Sequence, residues 1–290
     1  MSNKKSKCDV FILGASGMLG NSLLRYFKNI NKYEVIGTIR GSNAPNRLKS
    51  YDEFILKNID VHEEDYLEEK IREYCPKVLI NCIGLVKQID ASTDPIKAIQ
   101  INSLLPHKLL SICKSTDSKL IHISTDCVFN GKTGMYSEFD EPNATDLYGR
   151  TKLLGEIVDS KNITLRTSII GHELSTKHSL LEWFLSQNDE INGYDKAIFS
   201  GLPTVELARV IHDFVIPNKH LSGLYNISSE PINKFELLNI ISKQYSKNIK
   251  INIDSKLVID RSLNSNKFRD ETGFNPLSWK DMIYEMYKFG

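Results

Sequence analysis

Tyr148-Gly149-Arg150-Thr151-Lys152 sets a phenol and an ammonium four residues apart. On a helix that spacing is one turn, so both side chains share a face. A phenol, with a pKa of about 10, is a poor acid at neutral pH. A neighbouring ammonium stabilises the phenolate and suits it to proton exchange. The lysine can also hydrogen-bond ribose hydroxyls. Tyr-x-x-x-Lys alone arises readily by chance. It gains weight from Ser124-Thr125-Asp126, which closes the apolar run KLIHIS. There the Thr125 hydroxyl could hold a substrate oxygen beside the phenol. Capping for Thr125 and packing for Tyr148 are the plain alternatives.

A second constellation lies near the start of the chain. The run DVFILG leads into Gly14-Ala15-Ser16-Gly17-Met18-Leu19-Gly20, a G-x-x-G-x-x-G pattern opening a helix. The first two glycines allow a tight turn and a close approach to a pyrophosphate, and Gly20 lets helix and strand pack closely. The diphosphate would then sit at the positive helix end. The next apolar run ends Thr38-Ile39-Arg40-Gly41-Ser42, where an NAD site often carries an acid for the ribose 2′-hydroxyl. Here there is none, and Arg40 is available to a 2′-phosphate. NADP(H) is therefore expected over NAD(H), with NAD(H) still open. Asp60 could contact the adenine or simply cap a helix. Cys82, Ile83 and Gly84 follow a further run and are expected along the cofactor, Gly84 leaving room for its backbone.

These groups need a scaffold. Short apolar runs at Asp9–Gly14, Tyr33–Thr38, Phe54–Ile59, Lys77–Ile83, Lys119–Ser124 and Ile163–Ser168 read as strands. Helical patterns fall between them at Met18–Lys28, Glu63–Tyr74, Pro95–Lys114 (with Pro106 a kink) and Thr145–Ser160. Strand and helix alternate, which predicts an α/β fold: a Rossmann-type doubly wound parallel sheet with right-handed crossovers. Ligands bind outside the carboxyl ends of such strands. Beyond Gly171 the pattern loosens, with helices expected at Ser179–Gln187, Val205–Val215 and Lys234–Tyr245. The expected organisation is a flexible tail over 1–7, a dinucleotide-binding domain over 8–170, and a smaller, mainly substrate-binding C-terminal lobe over 171–290. Segment 171–201 and the loop after Ile83 should form the substrate side of the cleft, with Lys87, Trp183 and Thr204 as candidate contacts beside Thr125 and Asp126.

Composition narrows the partners. The 37 basic and 36 acidic residues leave a net charge of +1, which calls for neither nucleic acid nor an anionic membrane. The five cysteines, Cys8, Cys75, Cys82, Cys113 and Cys127, are odd in number and lack C-x-x-C spacing. That disfavours a disulfide framework or a zinc site and favours a reducing compartment. The polar start MSNKKSK lacks the apolar core of a secretory signal, and no apolar run is long enough to span a bilayer. A cytoplasmic protein is expected, and a homodimer stays open. His122 reads as a core histidine. His172 and His178 read as structural or surface residues near the substrate entrance, and Cys127 as pocket lining. No metal site is expected.

On these motifs the chain resembles the extended short-chain dehydrogenase/reductase superfamily and, more closely, the dTDP-4-dehydrorhamnose reductase family. The matching stretches are GASGMLG at 14–20, NCIG at 81–84, IN at 101–102, STDCVFNG at 124–131, YGRTKLLGE at 148–156 and LRTSIIG at 165–171. The resemblance implies Tyr148 as acid, Lys152 as its partner and Thr125 as hydroxyl helper. It also implies NADP(H)-dependent reduction of the C4 ketone of a nucleotide-activated 6-deoxysugar, feeding surface polysaccharide synthesis. Cys127 stands where the family usually carries an aromatic, and NCIGLVKQ and FSGLPT also depart from its pattern. Both dTDP-4-dehydrorhamnose and a UDP-linked N-acetylated 4-ketosugar are therefore candidate substrates. An epimerase or 4,6-dehydratase on the same scaffold is the enzyme alternative, although Cys127 stands where a dehydratase would need Glu. A non-catalytic dinucleotide sensor is the other alternative, and it could dispense with Thr125, Tyr148 and Lys152.

Overall fold

Alternate residues of the first strand, β1 (Val10–Leu13), enter different cores. Val10 and Ile12 join one apolar cluster, Phe11 and Leu13 the other, and all four are buried. A strand apolar on both faces must lie inside a sheet covered on both sides. The structure, a computed structural model, describes residues 8–85, 94–174 and 176–290. The expected tail over 1–7 and Lys87 lie outside the described residues.

After β1 come α1 (Met18–Ile30), β2 (Val35–Thr38), β3 (Ile55–Leu56), α2 (Glu64–Tyr74) and β4 (Val78–Asn81). Then follow α3 (Pro95–Ala98), α4 (Leu105–Thr116), β5 (Lys119–Thr125), α5 (Leu147–Leu154) and β6 (Ile163–Thr167). The second half holds β7 (Ile169–Ile170), α6 (Leu180–Ser186), β8 (Ile191–Tyr194), β9 (Ala197–Phe199), β10 (Leu202–Pro203), α7 (Thr204–Val210) and β11 (Gly223–Asn226). It closes with β12 (Ile232–Asn233), α8 (Lys234–Gln244), β13 (Ile251–Asp254), β14 (Ile259–Asp260), α9 (Asn266–Thr272) and α10 (Trp279–Phe289).

Seven strands form one sheet in the order β11-β6-β5-β4-β1-β2-β3, and every pairing in it is parallel. The order reverses between β1 and β4, which opens the ligand crevice of a doubly wound sheet. Leu23, Leu24 and Phe27 of α1 pack on one face with Leu207 and Ala208 of α7 and with Met282 and Ile283 of α10. Leu67 and Ile71 of α2 and Leu109 and Cys113 of α4 cover the other.

Several expectations need correction. The sheet does not end near residue 170, because β11 returns to pair with β6. The third strand shrinks to Ile55–Leu56: a tight helical stretch, Asn46–Phe54, takes its first residue, and Asn58, at φ +58°, turns the chain after it. The long helix expected over 95–114 is helical through to Thr116, but a π-helical turn, Ile99–Leu104, falls just before Pro106, which has no N–H to give the ladder. The helix expected over 205–215 is present, α-helical over Thr204–Val210 and finishing as a π turn, Ile211–Val215. The helix expected over 145–160 stops at Leu154. The unforeseen α10 buries Trp279, Met282, Ile283 and Met286, an i, i+3, i+4, i+7 stripe. Among the described residues no helix is long and apolar enough to cross a membrane.

Candidate active site

The glycine turn sits at the carboxyl end of β1 in the crevice. Gly14 adopts φ +83°, a conformation costly for any residue with a Cβ. A Cβ on Gly20 would lie 2.1 Å from the Gly14 carbonyl oxygen, so α1 can pack this closely on the turn only with glycine there. Thr38 at the end of β2 holds the turn from the side. Its hydroxyl accepts from the Gly14 N–H at 3.3 Å and its carbonyl from Ala15 at 2.8 Å. Gly17 caps α1 without a side-chain hydrogen bond, and Ser16 and Gly17 are exposed while Met18 is half-buried. Leu19 is a core residue, so only its backbone could face a ligand.

The other carboxyl ends line the same edge. Arg40 is exposed just past β2. Asp60 follows β3, and its carboxylate accepts from the His62 N–H at 3.0 Å, a local turn rather than a helix cap. After β4, Asn81 accepts from the Ile83 N–H at 3.1 Å. Asn102, on the π turn, clamps Leu85 from both sides, accepting from its N–H at 2.9 Å and donating to its carbonyl at 3.2 Å. The segment Cys82–Gly84 is thereby fixed beside Lys152.

Thr125 ends β5. It accepts from the Cys127 N–H and donates to the Asp126 carboxylate, each at 3.1 Å. Asp146 caps α5 through the Gly149 N–H at 2.9 Å, which sets Tyr148 in the first turn and Lys152 one turn later. Lys152 is buried, and its ammonium donates to the Ile123 carbonyl at 2.7 Å. Burial lowers its pKa to about 8, with Glu156 and Cys82 acting the other way. Burial raises the Tyr148 pKa, helped by Cys127 and opposed by a hydrogen bond with Thr125. The net shift is upward, not the lowering expected from an ammonium, and Tyr148 keeps its proton at neutral pH. Burial also pushes the Cys127 thiol up to about 12, which leaves it no thiolate character.

Two cations arrive from the second half of the chain, where sequence reading had not placed them. Segment 259–264 lies along 127–136: Arg261 donates from Nε to the Phe129 carbonyl at 2.8 Å, and its Nη1 lies 3.8 Å from the Cys127 sulfur. Asn233 caps α8 through the Glu236 N–H at 2.8 Å, so Lys234 stands at the first helical position. Burial lowers the Lys234 pKa, while Asp126 and Cys127 oppose that and Arg261 adds to it. Asp126, itself raised by burial, is held down chiefly by Arg261.

Other candidates fall elsewhere. Thr204 is buried at the start of α7, and its hydroxyl accepts from Ser22 of α1 at 2.8 Å. That contact joins two helices and corrects the expectation of a substrate contact. Trp183 is partly exposed on α6. His172 is held by Glu182 at 2.7 Å and Tyr245 at 2.9 Å, a structural role, and His178 is exposed. His122 is fully buried, with Nδ1 3.2 Å from the Asn81 amide; its Nε2 has no partner, so it is only half satisfied. Among the described residues no cluster could hold a metal ion.

The family described as RmlD substrate binding domain matches residues 8–288. The chain belongs to the RmlD substrate binding domain family. It is 33% identical over 147 residues to the probable low-salt glycan biosynthesis reductase Agl14 of Haloferax volcanii, covering 50% of this chain and 47% of that protein. It is 32% identical over 148 residues to the methionine adenosyltransferase 2 subunit beta of Danio rerio, covering 51% and 42%. The matched part is thus about half the length of these curated relatives or less. In fold, the RmlD-family chain is similar to the dTDP-4-dehydrorhamnose reductase of Bacillus anthracis solved in complex with NADP, with a TM-score of 0.80 and 22% identity over 97% of this chain and 99% of that one.

Proposed function

We propose that the protein reduces the C4 ketone of a nucleotide-activated 4-keto-6-deoxysugar with a nicotinamide dinucleotide, NADP(H) in preference to NAD(H). The observation that carries this reading is that Thr125, Tyr148 and Lys152 meet at the same sheet edge as the glycine turn. A dinucleotide fits that turn. Gly14 supplies the positive φ and Gly20 the close packing that keep the turn tight, and the first turn of α1 has no side-chain cap to compete with a pyrophosphate. Arg40 would meet the 2′-phosphate, Asp60 the adenosine side, and Cys82, Ile83 and Gly84 the nicotinamide half.

The reduced nicotinamide supplies the hydride. Tyr148, protonated at neutral pH, gives its phenolic proton to the sugar oxygen. Lys152, aimed by the Ile123 carbonyl, stabilises the phenolate left behind and holds the ribose. Thr125 turns its hydroxyl hydrogen from Asp126 to the substrate oxygen. Lys234 and Arg261 face the two negative charges of the sugar diphosphate, the pairing that cations at a partly buried cleft favour. Trp183 and Lys87 remain candidates for the sugar and base, which is dTDP or UDP, and the product supplies polysaccharide precursors.

The deciding experiment measures NADPH oxidation with dTDP- and UDP-linked 4-ketosugars. Stoichiometric consumption with either supports the reading. Binding of NADPH without turnover of any ketosugar points instead to a dinucleotide-binding regulator. Sugar conversion with no net loss of NADPH points to an epimerase or dehydratase.

A further inference from the structure

Helix α5 ends abruptly for a reason that bears on Lys152. Pro106 has no N–H to offer the Asn102 carbonyl. Gly155 packs onto that carbonyl so closely that a Cβ there would lie 1.9 Å from its oxygen. The chain turns at this contact, and Glu156 points inward instead of continuing the helix to the surface. Its carboxylate is then held three ways. Oε1 accepts from the Ser124 hydroxyl at 2.7 Å and from Arg166 Nε at 2.7 Å, and Oε2 accepts from Arg166 Nη2 at 2.6 Å. The pair is buried, with side-chain exposures of 3% for Arg166 and 6% for Glu156. Lys152 is pinned to the carbonyl of Ile123, and Glu156 to the hydroxyl of the next residue on the same strand.

We propose that Glu156 is a positioning residue that acts through Lys152: a fixed buried counter-charge, clamped by Arg166 and Ser124, that keeps the ammonium charged while the Ile123 carbonyl aims it. The inference rests on the reading of Lys152 as the partner of Tyr148. Around Lys152 stand Tyr148 and Glu156 from its own helix and turn, Cys82 from the segment after β4 and His122 from β5, with Arg166 of β6 behind Glu156. Cys82 and His122 are both held neutral by burial, the first raised and the second lowered. Glu156 is the anion of this set. A buried ammonium without an anion nearby gives up its proton more readily. Arg166 pairs with Glu156, and the carboxylate still acts on Lys152 to favour its charged form.

The test is the titration midpoint of Lys152, read from its ε-carbon resonance in protein carrying 13C-lysine and assigned by the peak that Lys152→Met removes. This measurement needs neither substrate nor turnover. Glu156→Gln keeps the shape, removes the charge and should lower the midpoint by about one pH unit or more. Arg166→Met keeps the Glu156 charge and should leave the midpoint in place or raise it. A merely structural ion pair predicts that both variants melt earlier while the midpoint stays put or moves the same way in each; either result overturns the proposal. Glu156→Gln leaves Arg166 buried and unpaired, which can prevent folding. The double variant Glu156→Gln/Arg166→Met removes that charge, and in it the midpoint should still fall, by less. An unchanged midpoint in the double variant also overturns the proposal. Where a ketosugar is turned over, the basic limb of the rate profile should move with the midpoint. Should no ketosugar be turned over, the reductase reading fails, while the midpoints still decide the role of Glu156.

Discussion

Lys152 and Ile123 are joined by a 2.7 Å hydrogen bond from the ammonium to a strand carbonyl, so β5, an inner strand of the sheet, aims the cation of the site. Because Tyr148 lies one helical turn earlier, the phenol is registered to the same strand. Tyr148→Phe should preserve this geometry and lose only the acid. Turnover should fall by roughly a hundred- to ten-thousand-fold, the usual contribution of general acid catalysis. NADPH affinity, followed by titration, should stay nearly constant. Retention of most of the wild-type rate would remove the basis for the proposed reaction.

The pH dependence follows from Lys152. Its pKa is lowered from an ordinary 10.5 to about 8, so the ammonium is intact below about 8 and lost above it. Steady-state activity should therefore decline as pH rises through that value. For stability the sign is opposite. Between about 8 and 10.5 the unfolded chain binds a proton that the folded chain does not, so unfolding free energy should rise with pH across that window. Lys152→Met should lack this rise in urea melts taken across the same range. Parallel curves for the two proteins would contradict the assignment.

Arg40 carries the cofactor preference. Arg40→Ala should weaken NADPH about ten- to a hundred-fold, the worth of a charge-assisted contact of roughly 1.5–3 kcal/mol, and leave NADH almost untouched. Paired binding titrations give the ratio, and equal losses for both cofactors would assign Arg40 to solvent.

Lys234 separates substrate from cofactor. Lys234→Met should raise KM for the nucleotide-sugar by roughly ten-fold or more while NADPH binding holds. The same substitution measured with an unactivated 4-ketosugar should have little effect, because no diphosphate is present. A matching loss on both substrates would place Lys234 outside the diphosphate subsite.

Gly20 tests the packing of the turn. Gly20→Ala places a Cβ against the Gly14 carbonyl, a backbone atom with nowhere to move. Overpacking of that kind costs about 1–3 kcal/mol, visible as a shifted denaturation midpoint, and NADPH affinity should drop with it. An unchanged midpoint would mean that α1 can slide on β1.

What the sequence determined by itself is what short-range pattern encodes. Apolar runs of strand length, the glycine spacing of 14–20 and the four-residue separation of Tyr148 from Lys152 each specify a local conformation, and the alternation of strand and helix leaves few topologies. The doubly wound sheet and the placement of its carboxyl-end residues were legible for that reason. The periodic stripe of α10 is of the same local kind. Tertiary structure decided the rest, because it depends on contacts between residues far apart in the chain. Gly155 marks in the sequence itself where α5 can stop; only the packing of Gly155 on the Asn102 carbonyl and the pairing with Arg166 show that Glu156 turns inward. No spacing brings Lys234 and Arg261 to Asp126; the capping of α8 and the laying of segment 259–264 along 127–136 do. Thr204, polar and following Pro203 in sequence, became a buried link to Ser22 only because α7 folds back onto α1. Burial set the net sign at Tyr148 as well, since charging an enclosed phenol is costly.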